Sequence, residues 1–170
     1  MQHHDSRQTT PAPIEPTGFF TGIQFRPIIS GVVLDTLVTI VLVSAYYYGI
    51  VAKGMPSEGE AAEEAFAEYW NSVDGLLMSL FLGSLGTMIG GFYAAYKAGA
   101  LEMKHGALVG IGSILLGLLL QAGGSDRQTP EWFLALSLVA AIPAGALGGF
   151  FAEMCRSAFG RSSRSQPGRG

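Results

Sequence analysis

One carboxylate stands inside an apolar stretch, where carboxylates are costly. Asp35 follows Gly31-Val32-Val33-Leu34 and precedes a run of Val, Ile and Leu. It lies about nine residues into the first apolar stretch, or roughly 13 Å at 1.5 Å per residue, which is close to the middle of a bilayer. A charge at that depth costs several kcal/mol, so the group must be neutral, paired or facing water. Thr36 and Thr39 lie nearby along the same helix, and no Lys or Arg sits at comparable depth. Two chemistries fit. Asp35 is a proton or cation site, or it is a neutral carboxyl hydrogen-bonded to a hydroxyl of a neighbouring helix, such as Ser84, Thr87 or Ser113. His105 is the second candidate, beside Gly106 and close to Glu102 and Lys104. It reads as a pH-sensitive group or as an interfacial His packed against the end of the second apolar stretch. Glu153 is the third, placed to pair with Lys97 or Arg156.

No catalytic constellation accompanies these residues. The chain has no HExxH, no Ser nucleophile beside a His, no P-loop and no carboxylate cluster. Enzymatic activity is therefore not expected. Cys155 is the sole cysteine, so no disulfide framework forms within one chain, and no metal-ligand spacing involves it. The His3-His4 pair reads as chance rather than a metal site. A haem or chlorophyll ligand would ordinarily be a His inside the bundle, and none falls there, so no cofactor is expected.

The elements that position these residues are helices. Of 170 residues, 49% are apolar and only 14% charged, against roughly 25% charged in soluble domains. The charges gather in the N-terminal tail, the 53–74 loop, the 97–104 turn and the C-terminal tail. Between them lie four apolar stretches, about 28–51, 73–96, 106–121 and 132–152. About 20 apolar residues cross a hydrocarbon core of roughly 30 Å. The third stretch is short for this and needs Lys104 and Gln121 at the interfaces. A soluble bundle would show polar faces at helical spacing, whereas Ile114 to Leu120 is apolar all round. The expected fold is an all-α integral membrane domain over 27–155, with four transmembrane helices arranged as two tandem hairpins.

Charge sets the expected orientation. Eight of the ten Lys and Arg residues fall in the two tails and the 97–104 turn, leaving Lys53 and Arg127 for the other side. The positive-inside rule then places both termini in the cytoplasm. A cleavable signal peptide competes for the first stretch, with Val43-Ser44-Ala45 as its cleavage site. The 26 preceding residues, with Pro11, Pro13 and Pro16 among them, favour an uncleaved helix. Residues 1–26 form a flexible tail ending in an interfacial segment, Phe19, Phe20, Ile23, Phe25 and Arg26. Pro27 suits a first helical turn. Tyr46-Tyr47-Tyr48 makes an aromatic belt.

The first outer loop predicts an amphipathic helix over about 57–70. Ser57 and Glu60 form its capping box, Ala62, Phe66, Tyr69 and Trp70 its apolar face, and five glutamates its wet face. That acidic face meets water or docks a basic partner. Asp74 suits the positive end of the next helix. Pro130, Glu131 and Trp132 open the fourth span, and Pro143 should kink it. Residues 156–170 read as a flexible basic tail near anionic lipid.

Small residues at four-residue spacing supply the packing. They are Gly86 and Gly90 in the second span, with Gly83 one turn earlier, and Gly106 and Gly110 in the third. In the fourth, Ala144 and Gly148 share one face, and Gly145 and Gly149 an adjacent one. The first span has only Gly31 and is otherwise bulky, so it is expected to pack more loosely or to face a partner. Gly90-Gly91-Phe92-Tyr93-Ala94 is echoed by Gly148-Gly149-Phe150-Phe151-Ala152, as in parallel repeats about an axis along the membrane normal.

The run Gly90-Gly91-Phe92-Tyr93-Ala94-Ala95, followed by His105-Gly106-Ala107-Leu108-Val109-Gly110, resembles a family of small uncharacterised prokaryotic membrane proteins. Those carry four predicted helices and a "Gly-Gly-aromatic … His-Gly-Ala" phrase around the cytoplasmic turn. The resemblance covers roughly 28–155, implies the four-helix fold in a prokaryotic inner membrane, and supplies no activity. The acidic loop and long N-tail are then additions of this chain. The expected function is a non-catalytic accessory or scaffold subunit of an inner-membrane complex. The alternative is a small ion- or proton-linked transporter or channel acting as a homo-oligomer through Asp35. Expected partners are the lipid bilayer and other membrane subunits or further copies, and not nucleic acid.

Overall fold

A computed structural model describes residues 21–56, 58–122 and 130–160. All regular structure among them is helical: α1 (Phe25–Tyr46), α2 (Glu60–Asn71), α3 (Val73–Ala98), α4 (Glu102–Ala122) and α5 (Glu131–Gly160). The helix of α1 is prolonged by a wide π turn, Tyr47–Val51, and a 3-10 turn, Ala52–Gly54. Four helices are long and apolar enough to cross a membrane, with mean hydropathies of 2.3, 1.6, 1.7 and 1.9 in chain order. Length and composition thus point to a multi-pass membrane protein.

Helix ends differ from the apolar stretches for a simple reason. Hydropathy finds the part of a helix that meets hydrocarbon, and helices continue into the interface. The short third stretch gains a polar first turn, Glu102 to His105, so α4 has 21 residues. α5 runs to Gly160, through the start of what reads as a basic tail. The remainder of that tail, residues 1–20 and the loop 123–129 lie outside the described residues. α5 also continues through Pro143 without interruption. The amphipathic helix starts at Glu60, after Gly59 with φ 76°, and Gly59 makes no side-chain cap bond. Ser57, expected to cap it, lies outside the described residues.

α2 turns into α3 at a single residue. The Ser72 hydroxyl accepts the Gly75 N–H at 3.1 Å and donates to the Tyr69 carbonyl at 2.6 Å. A Cβ at Gly75 would collide with that same carbonyl, so the corner closes only around glycine. α3 ends at Gly99, which takes the left-handed φ of 74° and returns its N–H to Ala95, the usual C-cap geometry.

α1 packs against α3 and α4, and α5 packs against α3 and α4; α1 and α5 do not meet. The closest approaches are between backbones. A Cβ at Gly90 would lie 2.5 Å from the Gly31 carbonyl oxygen, and one at Gly91 would lie 2.6 Å from that of Gly145. Gly106 and Gly145 abut each other's carbonyl oxygens, Gly110 abuts Ala141, Gly148 abuts Met88, and Gly149 abuts Glu102. Ala144 is buried. α1 is not loosely held, because Gly31 seats against Gly90, Ala94 and Val109. Its other face, the row Ile29, Val33, Leu37 and Ile40, is exposed.

Gly83 departs from the expected packing role, since a Cβ there would meet nothing within 4 Å. Gly117 is the same. The small residues thus close one half of the bundle, and the other half is splayed. In the echo, Gly90 faces α1 and Gly91 faces α5, whereas Gly148 faces α3 and Gly149 faces α4. Matching positions have exchanged roles, so the repeat is of composition rather than of contact.

Candidate functional site: a hydroxyl-lined cleft ending on Asp35

Asp35 is 4% exposed and sits where α1 meets α3 and α4. Its position follows from the glycines around it. Cβ atoms at Gly86 and Gly90 would each fall 2.8 Å from Asp35, so α3 can lie over the carboxyl only because both lack one. Three hydroxyls donate to the carboxyl. Thr39 reaches Oδ1 at 3.2 Å, Thr87 reaches Oδ2 at 3.1 Å, and Ser113 also reaches Oδ2. Thr87 and Ser113 were among the neighbours that sequence suggested. Ser84 lines the cleft without bonding the carboxyl, and Thr36 turns back to the Val32 carbonyl at 2.9 Å.

The Thr87 hydroxyl has one hydrogen but two acceptors. The Asp35 Oδ2 lies at 3.1 Å and the Gly83 carbonyl at 3.0 Å. Two arrangements satisfy every group. With Asp35 ionised, Thr87 donates to it. With Asp35 protonated, the carboxyl O–H donates to Thr87, which donates to Gly83. The same three groups can therefore hold or release a proton without rearranging the helices.

A cleft of about 580 Å³ leads to this carboxyl. It lies between α3, α4 and α5 in the splayed half of the bundle. Ser79, Ser84, Ser113, Gln121 and Ser137 line it alongside Leu80, Ile114, Leu134 and Leu138. Gly83 and Gly117 are in its wall, which explains the empty space beside them. Among the described residues, Asp35 is the only ionisable one lining it. A second recess of about 280 Å³ shares Ser79 and Phe133 with the cleft and is lined by Phe66, Trp70 and Asn71.

α2 is held over this end by aromatic contacts. Tyr47, buried, stacks edge-on against Phe66 at 4.8 Å and lies 6.2 Å from Trp70. The Tyr46 and Tyr69 hydroxyls share a hydrogen bond of 2.9 Å. Burial, that bond, and the charges of Tyr46 and Asp74 push the Tyr69 phenol up from 10.0 to about 12. Trp70 Nε1 is buried and finds no acceptor among the described residues. Of the three tyrosines, Tyr46 and Tyr47 dock α2, and Tyr48 is exposed.

His105 lies at the opposite end of the bundle and is fully buried. Its Nε2 accepts the Gln24 N–H at 3.0 Å, so Nδ1 carries the hydrogen and donates to the Leu101 carbonyl, also at 3.0 Å. The Gln24 side chain donates to the Ala98 carbonyl at 3.1 Å. His105 thus ties the start of α1 to the α3–α4 turn, where Leu101 holds a left-handed φ of 52°. This is the packed reading of His105, with more complete burial than an interfacial residue implies. Glu153 is exposed and pairs with neither Lys97 nor Arg156. Arg156 instead pairs with Glu102 and donates to the Tyr96 carbonyl at 2.8 Å, while Lys97 lies 6.0 Å over the Tyr93 ring. The Glu102–Arg156 tie escaped sequence reading because the partners are 54 residues apart.

Among the described residues no three His, Cys, Asp or Glu side chains come together as a metal-binding group. No protein-family model matches the chain, and no curated protein or solved structure was found to be similar to it.

Proposed function

We propose that this chain is a non-catalytic membrane protein that takes up a proton or small cation at Asp35, as one unit of a small transporter or channel built from several copies. The observation that carries this reading is the cleft that ends on a buried carboxyl. A purely structural carboxyl needs its three hydroxyls and no access route. A carboxyl that works on ions needs both. A single four-helix unit is too small to enclose much of a pathway alone, so several copies would build it together.

The chain consists of two tandem hairpins, α1 with α3 and α4 with α5, in a prokaryotic inner membrane. The start of α1, the α3–α4 turn and the end of α5 face the cytoplasm, as the positive-inside rule requires. The cleft and α2 then face outward. The kinship with four-helix proteins bearing the Gly-Gly-aromatic … His-Gly-Ala phrase belongs to this proposal. Gly90, Gly91, His105 and Gly106 of that phrase are buried in the closed half.

Flux of protons, sodium and potassium into proteoliposomes containing the full chain is the test. Asp35→Asn, which keeps size and hydrogen-bonding capacity, should lower the active flux at least about tenfold. Flux that does not change with Asp35→Asn would overturn the reading. It would leave the second one, an accessory subunit, which the exposed apolar row of α1 favours. Native purification with mass spectrometry of co-purifying chains then becomes the decisive measurement.

A further inference from the structure

We propose that the cleft binds a small organic cation with an apolar body and exchanges it for a proton at Asp35. The inference rests on the reading just given for the role of Asp35, and adds the ligand class.

Size comes first. A volume of about 580 Å³ falls in the range of about 300–1,000 Å³ typical of small-molecule sites. An inorganic cation needs far less room and a shell of several oxygens around it. Here the carboxylate lies at one end, with Thr87 and Ser113; along the rest of the described wall leucines and Ile114 alternate with the neutral polar Ser79, Ser84, Ser137 and Gln121. Such a wall suits a carbon skeleton. Charge comes second. With Asp35 as the only ionisable group among the described residues of the lining, a cation finds a partner there and an anion finds none. The third consideration is the route. Phe133 lies where the cleft meets the recess beneath α2, and Phe66 and Trp70 line that recess. Aromatic faces attract alkylammonium groups. The exposed Glu60, Glu63, Glu64 and Glu68 of α2 raise the local cation concentration at the same end.

The exchange balances. When the cation leaves, Oδ2 takes a proton from water in the cleft, and the Thr87 hydrogen turns to the Gly83 carbonyl. When a cation arrives, the proton returns to water and Thr87 turns back to the carboxylate. One positive charge enters for each that departs.

The test is calorimetric titration of the purified full chain in detergent with hexyltrimethylammonium, in two buffers of different ionisation enthalpy. Sodium chloride and hexanol serve as controls. Saturable binding with release of about one proton per cation is expected. Asp35→Asn should lose the proton release and at least about tenfold in affinity. Gly83→Leu should block binding with unchanged elution and melting, because its side chain enters open cleft. Absence of saturable binding in the unaltered chain, equal binding of hexanol, or full affinity in Asp35→Asn would each overturn the inference. Asp35-dependent proton flux without alkylammonium binding removes the ligand class alone. Cation binding with flux indifferent to Asp35 removes transport and leaves a binding protein.

Discussion

At the scale of single residues, glycine has two opposite uses in this bundle. Gly145 lets two helices touch through their backbones, and Gly83 keeps a space open. Alanine separates the two cases. Gly83→Ala adds a methyl group that meets nothing and removes a helix penalty of about 1 kcal/mol. It should raise the melting temperature in detergent or leave it unchanged. Gly145→Ala puts a methyl group against the Gly106 carbonyl, and such overpacking costs about 1–3 kcal/mol. It should lower the melting temperature and broaden elution. Equal effects at the two positions would contradict the cleft. Sequence spacing could not separate these glycines, because a period of four records a face and not what lies opposite it. Asp35 was legible for the converse reason. Its cost in hydrocarbon made hydroxyl partners obligatory, and few hydroxyls were at the right depth. His105 was legible as a residue and not as a contact, since its partner is the backbone N–H of Gln24, which any residue but proline would supply.

At the scale of elements, the attachment of α2 includes a phenol whose titration is shifted. The Tyr69 phenol is raised from 10.0 to about 12, chiefly by burial. An acid that ionises later in the docked state stabilises docking fully below pH 10 and loses that contribution as pH climbs through about 12. In a Trp132→Phe background, Trp70 emission should stay constant to about pH 10 and then change with tyrosinate absorbance. Tyr46→Phe should move both transitions to lower pH. A transition centred near pH 10 in the unaltered chain would show that Tyr69 is not docked. The amphipathic pattern of this segment foretold a helix with its apolar face down. It did not foretell that the face below is Tyr46 and Tyr47, because the π turn that follows Tyr46 has no hydropathy signature. Helix termini were illegible for a related reason. Glu102 at one start and Arg156 near one end are polar, and they pair with each other across the closed end of the bundle.

At the scale of the molecule, four apolar helices and their packing partners set two distinct ends, one closed and one cleft. Which end faces the cytoplasm is carried by charge alone. In a Cys155→Ser background, a membrane-impermeant maleimide should label Glu58→Cys in intact cells. It should label Ser157→Cys only after permeabilisation; both positions are exposed. The reverse pattern would invert the molecule and turn the cleft toward the cytoplasm.

The closed end has a thermodynamic character of its own. Glycine and alanine surrender no side-chain rotamers when they are buried, whereas a packed Leu or Ile surrenders about 0.5–1 kcal/mol of entropy. The seams of Gly91 with Gly145 and Gly106 with Gly145 are therefore assembled backbone to backbone, with no side chain to immobilise. Their cohesion is largely enthalpic, from dispersion between backbones. The leucines and isoleucines of the outer faces keep their rotational freedom in the fluid lipid.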